Sequence, residues 1–264
     1  MSTRVDARAT PPMLRVVERE FIVYRHLWRG NAASLFLNPI LFLAAMGLGL
    51  GGLVDESSGT VDGVPYLDFV APGLMIASAV QLAAGESLWP VVAGVKWIRM
   101  YHGMVATPLR ASDVFGGFVI WNALRSMFGA TVFLVVATVL GAIPSAWGVL
   151  AIPVAGLTAA AFCAPLAAFS VTQDSDFAFP VIMRLGILPL FLFSGTFFPI
   201  SDLPDWLEPL AYFSPLWHGV ALARGATTGH LAMDAPLVHV VVLLTCVAAG
   251  TYAGTRTFTR RLSA

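Results

Sequence analysis

The chain has 264 residues, 58% of them hydrophobic and only 11% Asp, Glu, Lys or Arg, against roughly 25% charged residues in an ordinary soluble domain. Too few charges remain to cover a water-facing surface, so the excess apolar area must face lipid. Fifteen basic and fifteen acidic residues cancel, leaving no overall field that would favour nucleic acid as a partner.

Crossing a hydrocarbon core of roughly 30 Å takes about 20 helical residues. Apolar runs of that order fall at 33 to 53, 70 to 93, 114 to 141, 147 to 171, 181 to 200 and 236 to 254. The pattern predicts an all-α polytopic membrane protein with six transmembrane helices. Residues 1 to 32 form a cytoplasmic arm and an amphipathic interfacial helix, and residues 33 to 264 form one membrane domain. No short apolar region with a small-residue cleavage site precedes the first run, so a removable signal peptide is not expected.

In the arm, residues 11 to 31 place Leu14, Val17, Phe21, Tyr24 and Trp28 on one helical face and Arg15, Glu18, Arg19, Arg25, His26 and Arg29 on the other. Such a helix lies in the membrane interface, either as a plain anchor or as a surface that also touches a partner subunit. Basic residues gather on the cytoplasmic side of membrane proteins. Arg4, Arg8, Arg15, Arg19, Arg25 and Arg29, then Lys96, Arg99 and Arg110, then Arg256, Arg260 and Arg261 share one side, and only Arg224 falls in an outer segment. Both termini are therefore expected in the cytoplasm. One connection disagrees: the segment between spans four and five falls inside yet carries Asp174 and Asp176.

Between spans two and three, GVKWIRMYHGMVATPLRASD (94 to 113) is long enough for one surface helix. Trp97, Ile98, Tyr101 and Val105 could form its apolar face, Thr107-Pro108 would end it, and Ser112 or Asp113 could cap span three. It reads either as a docking element for a cytoplasmic motor or as an ordinary basic loop. Within the spans, Glu86 lies roughly 12 Å from the cytoplasmic end of its helix and Arg125 roughly 16 Å from the start of its own. An ion pair between them is the cheapest arrangement at that depth. A direct role in a substrate path is the other reading, with Gln81 on the same small-residue face as Ser78 and Gly85.

Span five is weakened by Pro189 and Ser194-Gly195 and stopped at Pro199. The apolar stretch 203 to 220 holds Pro204, Pro209 and Pro215, too interrupted for a regular spanning helix, and is expected to be re-entrant or interfacial. Phe191, Phe193, Phe197, Phe198, Trp206, Tyr212, Phe213 and Trp217 suggest an aromatic belt. Ser194 and His239 fall on different spans, but in Phe193-Ser194-Gly195-Thr196 no glycine stands two residues before the serine and no oxyanion motif is present, so an intramembrane serine protease is not expected. Cys163 and Cys246 sit in apolar runs as small hydrophobes, and no spacing signals a metal site. The only lysine, Lys96, stands in GVKW rather than in a Gly-rich GK[ST] turn, so this chain does not hydrolyse ATP through a P-loop and is not expected to be an enzyme.

Three stretches carry a resemblance: LFLFSGTFFPISDLPDWLEPLAYFSPLWHGVALARG from 190 to 225, MVATPLRASDVFGG from 104 to 117 and YLDFVAPGLM from 66 to 75. They resemble the membrane permease subunits of type-2 ABC exporters, especially the branch exporting lipooligosaccharides (nodulation factors) and anthracycline-type drugs. The resemblance implies two permease copies, identical or paralogous, driven by two copies of a separate ATPase subunit. No cofactor would belong to this chain, and ATP and Mg would sit on that partner. It also implies that the segment like residues 94 to 110 is the coupling helix. Trp97, Tyr101, His102, Gly103, Met104, Thr107, Pro108, Leu109 and Arg110 then become candidates for the ATPase contact.

On this reading an amphipathic cargo passes outward across the cytoplasmic membrane by rigid-body alternating access. The apolar lining would come from Phe36, Leu43, Met46, Phe191, Phe193 and Phe198, and Gln81, Glu86 and Arg125 would mark the path. Two other classes compete. A secondary transporter or channel would use Glu86 as an ion or proton site, and a structural anchoring subunit would use neither charge.

Overall fold

The computed structural model describes residues 11–52, 54, 59–229 and 236–263, with backbone alone for 27–36 and 48. Among these, all regular structure is helical apart from one isolated bridge between Val61 and Val64. The first helix, α1 (Pro12–Leu43), opens with proline in its first turn, where the missing N–H costs nothing. Its ladder then widens into π-type turns over Ala44–Gly51. No interruption of the helix marks residue 32. Gly30 and Asn31 weaken a helix only slightly, and the chain runs helically from the arm into the first apolar stretch.

Among the described residues, four helices are long and apolar enough to cross a membrane, and they match spans two, three, four and six. These are Tyr66–Trp97 (α2, with its last turn widened), Ala111–Val139 (α4), Ala146–Ser170 (α5, opened by a 3-10 turn) and Pro236–Leu262 (α9). Between α2 and α4 lies the short α3 (Met100–Val105). The stretch expected as span five is shorter, at Phe179–Phe193 (α6), whereas the stretch expected as span one is the continuation of α1, helical through Gly51. Span five stops well before Pro199 because Ser194 leaves helical geometry and Gly195 adopts φ 75°, a left-handed turn that glycine takes without strain.

The stretch after α6 folds more regularly than its prolines suggest. A short α7 (Glu208–Tyr212) precedes α8 (Pro215–Thr228), and Pro215 begins α8 rather than interrupting it. One end of α8 lies deep in the bundle: a Cβ on Gly219 would fall 2.3 Å from Thr158 Oγ1 of α5 and 3.0 Å from Ile76 of α2. Its other end reaches the α4–α5 connection, where the Ser145 N–H donates to the Thr227 carbonyl at 3.1 Å. α8 is thus buried along α2, α5 and α9.

The centre of the bundle is α5, which packs on α2, α4, α8 and α9. Its buried row of Ala155, Ala159, Ala160, Ala164 and Ala167 keeps side chains short so that neighbouring backbones approach closely. The expected aromatic belt divides. Phe191 is buried edge-on against Phe197, and Trp217 turns inward onto Tyr212, His218 and His239, while Trp206 and Phe213 stay exposed.

The apolar face of α1 also divides. Met13 and Val16 press onto Gly116 and Gly117 of α4, which allow a close backbone approach, and Phe21 and Tyr24 both meet Trp121 edge-on, while Leu14 and Phe21 stay largely exposed.

Candidate functional site: a docking segment and a polar cleft

The connection between α2 and α4 is built around Tyr101. Arg99 adopts left-handed geometry (φ 52°, ψ 28°) and separates the last turn of α2 from α3. Tyr101, 3% exposed, meets Phe258 of α9 edge-on at 5.4 Å, and Phe258 meets Phe115 of α4 at 5.0 Å. Gly94 makes room for this ring, since a Cβ there would lie 2.6 Å from it. Burial raises the Tyr101 hydroxyl pKa well above its ordinary value. Asp113 closes the segment: the Arg110 N–H donates to its Oδ2 at 3.0 Å, capping α4.

The expected apolar face consequently splits in two. Tyr101 is an internal anchor and offers no surface to a partner, while Trp97 and Ile98 are 68% and 71% exposed. Gly103, Thr107, Pro108 and Arg110 are exposed beside them, and His102, Met104 and Leu109 are half-buried. The His102 Nδ1 is buried without a hydrogen-bond partner among the described residues.

A second tie holds the same segment. Lys96 Nζ lies 2.9 Å from Asp174 Oδ1 and donates to the Asp174 carbonyl oxygen at 2.7 Å. Arg261 Nη2 donates to the same Oδ1 at 2.6 Å. The acidic connection that conflicted with the charge asymmetry thus supplies a counter-charge to two basic residues of that face. Hydrogen bonds from Lys96 and Arg261, reinforced by their charges, hold the Asp174 carboxyl below its ordinary pKa.

The second part of the site is a cleft of about 390 Å³ between α1, α2 and α4. On its border Arg125 Nη1 lies 2.8 Å from Glu86 Oε1, and the guanidinium carbon stands 5.3 Å from the centre of the Tyr24 ring. Gln81 lines the cleft with Ser78 and Asn38. Ser126, 1% exposed, lines it too, and its Oγ has no hydrogen-bond partner among the described residues. Of the expected path residues, the cleft gathers Gln81 and Arg125, with Glu86 joined through its ion pair. Leu43 and Phe191 instead sit in the packed core, Met46 packs partly against it, and Phe193 and Phe198 lie outside the cleft. The Phe36 side chain lies outside the described residues.

Tyr24, Asn38 and Ser126 escaped the sequence reading as cleft residues, although Ser126 directly follows Arg125 and Tyr24 stood on the apolar face of the arm. Arg224 escaped it too, having been taken simply as an outer charge. Its Nε donates to the Phe69 carbonyl at 3.2 Å and its Nη2 to the Gly195 carbonyl at 2.6 Å, and its guanidinium lies 3.6 Å from the Phe69 ring centre. Arg224 therefore bolts α8 to the start of α2 and to the turn after α6. Nearby, His218 Nδ1 and His239 Nδ1 share a hydrogen bond of 2.7 Å between α8 and α9.

The family model described as ABC-2 type transporter matches residues 13–227, a span that includes the docking segment, the cleft and nearly all of α8. The chain belongs to the ABC-2 type transporter family. It is similar to the nodulation protein J of Rhizobium leguminosarum bv. trifolii, 28% identical over 249 residues, 94% of this chain and 93% of that protein. The nodulation protein J of Bradyrhizobium diazoefficiens is 29% identical over 248 residues, 94% of this chain and 92% of the relative. The inner membrane transport permease YadH of Escherichia coli is 26% identical over 207 residues, 76% and 77% of the two chains. This chain is thus a multi-pass membrane permease subunit rather than an enzyme, of a family that works with an ABC ATPase.

Proposed function

We propose that this permease forms the membrane path of an ATP-driven exporter, moving an amphipathic cargo (a lipid, glycolipid or lipooligosaccharide, or hydrophobic drug) outward across the cytoplasmic membrane. Six spans, two permease copies and two ATPase subunits make up the transporter, with both termini of each permease in the cytoplasm. ATP and its magnesium belong to the ATPase partner. Similarity to nodulation proteins along nearly the whole length supports the lipooligosaccharide side of that cargo class.

The observation that carries the reading is the form of the docking segment. Trp97 and Ile98 project from a segment anchored through the buried Tyr101 against Phe258 and tied more loosely through Lys96 to Asp174. An exposed apolar pair on a rigid mount can receive a push and pass it on, whereas a loosely held loop would dissipate it. Closure of the ATPase pair would displace the mount, and through Phe258 and Phe115 the helices α9 and α4 would move with it. The Glu86–Arg125 pair supports a structural clamp at the edge of the path, because a carboxylate already matched by a guanidinium is poorly suited to carry a free ion or proton.

The test is reconstitution with the ATPase subunit. Trp97→Ala with Ile98→Ser should leave folding intact and abolish both copurification of the ATPase and ATP-dependent transport. Transport by the purified permease without any ATPase would overturn the reading. So would export that stops on collapse of the proton-motive force while ATP stays high.

A further inference from the structure

The cleft between α1, α2 and α4 has a polarity gradient along the bundle. α1 and α4 run in the same direction, since Val16 meets Gly117 near one end and Phe42 shares the cleft with Phe133 near the other, and α2 runs against them. On all three helices, Leu82 apart, the polar lining lies towards the docking segment: Tyr24 and Asn38, Ser78 and Gln81, Arg125 and Ser126. The lining away from it is apolar, with Phe42, Met75 and Phe133. Among the described residues at the cleft, the one charge of its lining, Arg125, is matched by Glu86, so an added anion would leave excess negative charge in a poorly hydrated site. Beside the paired Arg125, the polar half offers amides and hydroxyls, each both donor and acceptor. The buried Ser126 hydroxyl has no partner of its own among the described residues.

We infer that this cleft binds an amphiphile with an uncharged, hydroxyl-rich headgroup. The headgroup lies at Gln81 and Ser126, and the acyl or alkyl tail runs along Met75 and Phe133 away from the docking segment. With that segment in the cytoplasm, the orientation is the one a lipid already has in the inner leaflet, so cargo would dock without turning over. A volume of about 390 Å³ suits one headgroup with part of one chain. The inference rests on the exporter reading for its orientation in the membrane and for the meaning of the ligand, but not for the binding itself.

The permease alone, in lipid nanodiscs, is irradiated with two probes that share one diazirine-tipped dodecyl tail: the dodecyl β-glucoside and the dodecyl sulfate. The glucoside is expected to label the peptides around Met75 and Phe133 at least tenfold more strongly than the sulfate. Gln81→Leu with Ser126→Ala should lower that labelling roughly tenfold, two hydrogen bonds at a few-fold each. Ser78→Phe, which fills the cleft, should abolish it, and the milder pair of substitutions keeps the test decisive if Ser78→Phe fails to fold. Equal labelling by the sulfate overturns the inference. So does labelling that ignores these substitutions, or its absence from both peptides because a second copy covers the cleft. No ATPase is present, so such a result removes the binding site and leaves the exporter reading to the transport assay. Loss of ATP-dependent transport with labelling intact would remove the exporter reading alone.

Discussion

The two ends of the bundle hold their arginines differently. Beside the α2–α4 connection, Lys96 and Arg261 converge on one carboxylate, Asp174, whose side chain is largely exposed. At the far end Arg224 is partly buried, and its contacts are two carbonyl oxygens and the face of Phe69. Exposed charges exchange protein partners for water at little cost, whereas a guanidinium held by fixed carbonyls leaves unpaired groups on both sides when it goes. The contrast separates a joint that can be loosened and re-formed during a transport cycle from a bolt that fixes α8 to α2 and to the turn after α6.

The strongest way to break that comparison is Arg224→Leu. Two charge-assisted hydrogen bonds disappear, and the Phe69 and Gly195 carbonyls lose their donors. The expected destabilisation is about 3 kcal/mol, lowering the thermal midpoint in detergent by roughly 10 °C. Arg224→Lys should fall between, because one ammonium cannot reproduce the planar fork that reaches both carbonyls and covers the ring. A midpoint unchanged by Arg224→Leu would mean that α8 is held by its apolar packing alone.

The Glu86–Arg125 pair stands between these extremes, both side chains being partly exposed. Glu86→Gln and Arg125→Gln should each cost about 2 kcal/mol by stranding the opposite charge, and the double substitution should recover most of it. Thermal midpoints of the three variants measure this coupling. A double variant that is fully stable yet transports nothing would move the pair from clamp to cargo path.

The pair was legible in the sequence because depth can be counted along a helix: two opposite charges on consecutive spans, each more than ten ångströms from water, leave few alternatives. The long spans were legible for the same reason, since their apolar length exceeds what any other fold needs. The short ones were not. Whether a run such as 181 to 200 ends at Phe193 or Pro199 depends on one glycine adopting φ 75°, and periodicity carries no trace of that. Tyr101 shows a second limit. Its helical spacing put it on one face with Trp97 and Ile98, but Gly94 behind it and Phe258 on a distant helix drew it inward. The cleft needed three helices to be assembled before Tyr24, Asn38 and Ser126 could be seen as neighbours. Arg224 gave no signal beyond its charge, because its partners are backbone carbonyls.

The smallest effect on folding, and the sharpest on coupling, is expected at Asp174. Asp174→Asn removes the shared carboxylate, itself largely exposed, so the thermal midpoint should not move measurably, while ATP-dependent transport falls and the ATPase subunit's own hydrolysis persists. High salt should bring the unsubstituted permease towards the variant, since exposed pairs are screened over roughly 8 Å at physiological ionic strength. The pH dependence has a definite sign. A carboxyl whose folded pKa is depressed contributes fully above its ordinary value of about 3.9 and loses that contribution as pH falls through the lower folded value. The joint should therefore be insensitive to pH between about 5 and 8 and should loosen only in acid below the ordinary carboxylate range. If Asp174→Asn instead lowered the midpoint as far as Arg224→Leu, this end of the bundle would be as rigidly fixed as the end that holds Arg224. The displacement would then have to enter through the Tyr101–Phe258 contact alone.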